Sequence, residues 1–287
     1  MSKKTMARIG AAVGMTALAS LSGMGAFAGD IRHETSVPSA RGIVVTPASS
    51  QEFPASDNGQ HMHTNIRILF PNGVHAESTS PSGNYETPAS LACVYGLVTV
   101  TTGCIPSKVT TVVSAGSKLV IVVDAYDDPT ATNDLTAYSK QYGLPAITSS
   151  NFQVVYASGT KPAQDSTGGW ELEESLDIEM AHALAPNAKV ILMEAASSNT
   201  TDLLAAETAA ATLAVAAGGG EVSNSWGGGE SSDENSYEST FTGANVVFLA
   251  STGDSPGTIF PSVLQNVVGG SARAVRPLTA TAAPGPF

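Results

Sequence analysis

The stretch 168-GGWELEESLDIEMAHALAPNA-188 places two carboxylates, Glu173 and Asp177, one helical turn apart behind an aromatic residue, Trp170. Residues at i and i+4 share a helix face, and like charges there destabilise an isolated helix. Two carboxyls that share a proton in a cleft titrate apart, so one can serve as a base in acid while the other stays protonated and orients it. The alternative is a solvated acidic face, with Glu171, Glu174 and Glu179 as company. The helix is predicted over Glu171 to Leu184 and ends at Ala185-Pro186. His182, five residues past Asp177, points to another side of it as a half-buried packing residue.

Outward from this helix, short apolar runs alternate with helical segments. Lys118 to Val123 is apolar and rich in β-branched residues, as expected of a strand buried on both faces of a parallel sheet. Further strands are predicted at Phe152–Tyr156, Lys189–Glu194, Glu221–Ser225 and Asn245–Ala250, with helices at Asn133–Tyr142, Asp202–Ala217 and Asn235–Gly243. Asp124 stands at the carboxyl end of the first strand, where open α/β sheets place functional residues, although a turn-capping role is the simpler expectation. Asp254, in Ser251-Thr252-Gly253-Asp254, follows a buried strand at the same edge, where an ordinary turn residue is the alternative.

These segments, with ExxxD before APNAKV, the SNSWG turn and STGD, resemble the sedolisin family, the serine-carboxyl peptidases. The resemblance runs from about Glu86 to Gly270. It implies an α/β subtilisin-like fold: a doubly wound, mostly parallel sheet with helices on both faces, incomplete at the C-terminus. By the same resemblance Glu173 is the general base to a serine, Asp177 orients it, and Asp254 is the oxyanion-hole donor. A carboxyl group can donate to an oxyanion only when protonated, which implies activity in acid. Trp170 is expected to pack over the pair and dry the cleft.

The GTSxP serine of the family, about a hundred residues beyond the oxyanion aspartate, has no counterpart before Phe287. Ser158-Gly159-Thr160-Lys161-Pro162 mimics the motif, but Lys161 occupies the serine position and the segment precedes the carboxylate helix. The expected function is therefore a secreted serine-type endopeptidase by descent, inactive as written. The alternatives are an exported, non-catalytic peptide-binding pseudoprotease and a fragment unable to close its core. No cofactor is expected, because the family calcium site would lie beyond Phe287. Protein or peptide substrates and a monomeric state are expected.

Composition bounds the rest. The chain has 287 residues, of which 42% are hydrophobic, enough to fill a sizeable core. Lys3, Lys4 and Arg8, an interrupted apolar run and Ala26-Phe27-Ala28 read as a signal peptide over residues 1–28, hence a secreted or periplasmic protein. The net charge of −12 argues against nucleic acid or an anionic membrane as partner. Residues 29–85 read as a polar leader or extension with a strand-like run at Asn65–Phe70, 86–270 as the peptidase-like domain, and 271–287 as a divergent low-complexity tail. Cys93 and Cys104 are expected to form a disulfide, which would stabilise a loop of this size by about 3 kcal/mol on the chain-entropy model. His61 and His63 are expected in a solvated loop, without a metal.

Overall fold

A computed structural model describes residues 34–39, 42–71, 86–100, 102–116, 118–254 and 257–270. The signal-peptide and tail segments lie outside these residues. Six strands form one parallel sheet: β5 (Leu119–Ala125), β6 (Phe152–Tyr156), β7 (Lys189–Ala195), β8 (Gly220–Asn224), β10 (Val246–Ser251) and β11 (Val267–Gly270). Their spatial order is β11-β10-β8-β5-β7-β6. The remaining strands are β1 (Thr35–Ser39), β2 (Gly42–Thr46) and β4 (Ile68–Pro71), which form an antiparallel sheet, and β3 (His63–Thr64) with β9 (Trp226–Gly227).

Alternation along the strands assigns each face its helices. Val122, Val190 and Leu192 pack with Ala131 and Leu135 of α2 (Ala131–Tyr142) and Ile178 of α3 (Gly169–Leu184). Ile121, Val123, Ile191 and Met193 point the other way, toward Leu203, Ala206 and Ala210 of α4 (Thr200–Ala216). The result is the α/β, doubly wound parallel sheet predicted from the sequence, consistent with a subtilisin-like fold. On the face that carries α2 and α3, the outer strands expose Val247, Leu249 and Val268. Those two helices therefore cover only part of the sheet.

β5 leads to α2 on one face while its neighbour β7 leads to α4 on the other. Such a divergence opens a crevice at the carboxyl ends of the strands, the usual place for a site in an open α/β sheet. α1 (Pro88–Val94) carries Cys93, which is bonded to Cys104 with the Cα atoms 5.5 Å apart, as the spacing predicted. The helix expected at Asn235–Gly243 is instead a 3₁₀ segment, Glu234–Thr240. Its Asn235, Ser236, Ser239 and Thr240 offer side-chain hydrogen bonds that compete with an α-helix.

Residues 34–71 hold more structure than their polar composition indicates. β3 pairs antiparallel with β9, matching His63 to Gly227 and Thr64 to Trp226. His63 is buried, and its Nδ1 lies 2.9 Å from the Thr64 carbonyl. His61 Nδ1 lies 2.6 Å from Asp57 Oδ1, and its ring stacks on Phe53. Neither histidine sits in the unpartnered loop expected from the sequence.

Candidate active site

α3 begins where Asp165 Oδ2 accepts the free backbone N–H groups of Gly169 and Trp170, at 3.0 and 3.2 Å. These are donors that the first helical turn cannot satisfy internally. Gly169 is required for close approach, because a Cβ there would run into Ser49 Oγ. The start of α3 is thereby fixed against the N-terminal segment, and Glu173 is buried one turn on.

The expected pair shares one environment. Burial raises the Glu173 carboxyl well above its ordinary value, and the charge of Asp177 raises it further. Burial pushes Asp177 up to about 6, against the hydrogen bonds of Ser225 and Glu173, which hold it down. The two therefore behave as a coupled acid pair, both members held toward the protonated form.

Asn65 ties the pair to the rest of the crevice. Its backbone N–H lies 3.4 Å from Glu173 Oε2, while its side-chain amide donates to the Ser225 carbonyl at 3.1 Å and to Ser251 Oγ at 2.7 Å. A cavity of about 40 Å³ opens beside it, lined by His63, Asn65, Arg67, Gly253 and Asp254 among others. Gly253 turns the chain there with φ of +85°, a conformation that disfavours any side chain. Asp254 is exposed. Arg67 donates to its carbonyl at 3.0 Å, and the guanidinium Nε lies 3.5 Å from its Oδ2. An ion pair with Arg67 uses the charged carboxylate, whereas donation to an oxyanion needs the protonated acid. The two uses exclude one another.

The structure adds carboxylates to which the sequence reading gave no catalytic role. Asp124 caps no turn: it is fully buried, and neither carboxyl oxygen has a hydrogen-bond partner. Burial raises it well above its ordinary value, with repulsion from Asp177, Glu173 and Glu194 adding to the shift. Glu174 and Glu194 are also fully buried. Glu194 is pushed up to about 8 by burial and by repulsion from Asp127. Glu174 and Glu179 are no part of a solvated face, since both have zero exposure. The available signal was the position of Asp124 and Glu194 in paired register near the carboxyl ends of adjacent strands.

Two other expectations are resolved by packing. Trp170 is buried with its ring tilted against Tyr126, 6.1 Å between centroids, and joins the core on the α4 face. His182 is buried, with Nε2 3.1 Å from the Pro145 carbonyl, and burial lowers its pKa. In the SGTKP segment, Lys161 Nζ pairs with Asp127 Oδ2 at 3.0 Å.

No family model and no curated protein matches the chain. Among solved structures it is similar to Pseudomonas sedolisin, described as a serine-carboxyl proteinase complexed with two molecules of pseudo-iodotyrostatin. The identity is 17% and the TM-score 0.49, over 64% of this chain and 52% of that one. It is also similar to the patellamide maturation protease PatG at 15% identity and a TM-score of 0.29, over 54% of this chain and 57% of that one. The chain spans about half the length of these solved structures.

Proposed function

We propose that this chain carries the acid–base and oxyanion elements of a serine-type, sedolisin-like endopeptidase acting on extended peptides in acid. The observation that supports it is an extended segment of the chain already lying across those elements. β3 adds antiparallel to Trp226–Gly227, and the two residues that follow lead to Arg67; Asn65 N–H faces Glu173 and Arg67 grips Asp254. β-Strand addition of this kind is a general way to hold a peptide backbone. A substrate using the same edge has to displace this segment.

The chemistry needs a serine between the pair and Asp254. Among the described residues the nearby hydroxyls are engaged: Ser251 with the Asn65 amide, and Ser225 with Asp177. In this reading the nucleophile belongs to an element seated on the exposed Val247, Leu249 and Val268, on the sheet face that also carries α3 with Asp177. Its oxygen attacks the peptide carbonyl as its proton passes to ionised Glu173, and the protonated Asp254 donates to the developing oxyanion. As they stand, burial raises both Glu173 and Asp177 above their ordinary values. A serine O–H donating into the pair favours its ionised form and extends the working range into acid.

The test is hydrolysis of a denatured protein substrate between pH 3 and 7, by residues 1–287 and by the same chain continued through a GTSxP segment. The continued chain should cleave, with a rate that rises as the pair ionises. Glu173→Gln should remove most of that rate. Cleavage that survives Glu173→Gln overturns the assignment. The second reading, a peptide-binding pseudoprotease, rests on the engaged hydroxyls of Ser225 and Ser251; saturable peptide binding without cleavage by the continued chain would select it.

A further inference from the structure

At the opposite, amino-terminal edge of the sheet, a cleft of about 610 Å³ runs between the strand ends and the last turn of α4. Small-molecule pockets occupy roughly 300–1,000 Å³, so the space suits an organic ligand. Its floor is apolar, made of Leu119, Val155 and Ile191, and its wall is Leu213, Ala216 and Ala217. Leu213 is 37% exposed, and both alanines are exposed as well. A helix that shows apolar residues on its outer side is normally covered by something.

The cationic rim points to the ligand class. Lys118 and Lys189 line the cleft, and a backbone hydrogen bond of 2.9 Å from Lys189 N–H to the Lys118 carbonyl holds them side by side. Among the described residues neither forms an ion pair, in a chain where 25 Asp and Glu outnumber 13 Lys and Arg. Two unpaired cations at one end of an apolar trough complement an anion with a hydrocarbon tail.

We propose that this cleft binds a fatty-acid anion, with the carboxylate between Lys118 and Lys189 and the alkyl chain laid on Leu119, Val155, Ile191 and Leu213. The head group takes charge-assisted hydrogen bonds, and the tail removes apolar surface from water. The site lies at the other end of the strands from Glu173 and Asp254. Its occupancy is independent of the proposed peptidase chemistry.

Isothermal titration of the full chain with sodium dodecanoate, below its micelle concentration, tests this. One-site binding is expected, tightening about fourfold for each methylene from octanoate to dodecanoate. The Lys118→Gln/Lys189→Gln double variant, whose circular dichroism should match the parent, should bind about tenfold more weakly. Dodecyltrimethylammonium, with the same tail and opposite charge, should not bind. A diazirine-bearing fatty acid should label peptides containing residues 118–119, 153–155 or 213–219. The proposal is overturned by absence of saturable binding, by equal affinity for the cationic detergent, by an unchanged double variant, or by labelling confined to other peptides.

Discussion

Asp124 shows how one residue changes meaning once its surroundings are known. A carboxyl group buried without a hydrogen-bond donor cannot stay ionised cheaply, and repulsion from Asp177, Glu173 and Glu194 adds to the cost. Asp177→Asn removes part of that repulsion while keeping the shape, so the Asp124 carboxyl resonance should titrate at lower pH in the variant. Carbon-13 NMR of labelled protein measures this directly, and unchanged titration midpoints would show that Asp124 is electrically separate from the pair. Glu174→Gln is a poor neutral control by the same logic, because Glu174 is buried near Asp124 and Glu194 rather than solvated.

At the scale of the element, α3 is the piece on which the candidate site depends. Its last turn needs no unusual device, since Pro186 follows directly and cannot continue the helix. The first turn depends on a loop residue, Asp165, whose Oδ2 takes two backbone N–H groups and the Thr167 hydroxyl. Asp165→Ala should destabilise the protein by about 1 kcal/mol, the usual magnitude for losing such a cap. Urea unfolding followed by circular dichroism reads the change. The variant should also loosen Glu173, because the same turn sets the contact between Gly169 and Ser49. A midpoint unchanged within error would mean that packing alone positions the helix start.

Across the described residues of the whole molecule, burial raises several carboxyl groups toward their neutral form. Burial raises Glu179 to about 9, and burial likewise raises Glu194 and Glu207 to about 8, against an ordinary value of 4.5. Folded values above the unfolded ones mean that the native state binds more protons. Their contribution to stability is full below about pH 4.5 and is lost as pH rises through about 8 to 9. The urea midpoint should therefore fall steadily from pH 4.5 to 9. Glu179→Gln should flatten the upper part of that decline without lowering stability at pH 4.5, since neither Glu179 carboxyl oxygen has a hydrogen-bond partner to lose. A midpoint constant across this range would show that the buried groups are hydrated or already paired.

The alternation of β-branched runs and helical segments carried the parallel α/β sheet, because strands buried on both faces must be apolar at every position. The i,i+4 spacing likewise placed Glu173 and Asp177 together, and the interval between Cys93 and Cys104 allowed their bond. Local rules of that kind act within one element or one short loop. Tertiary structure alone decided the rest, because it depended on residues far apart in the chain. Packing turned Glu174 and Glu179 from apparent surface charges into buried acids. It brought Asn65 and Arg67, from a strand-like run in an otherwise polar leader, against Glu173 and Asp254 more than a hundred residues away. No sequence period encodes such contacts, since burial and electrostatic repulsion are properties of the assembled crevice rather than of any single helix or strand.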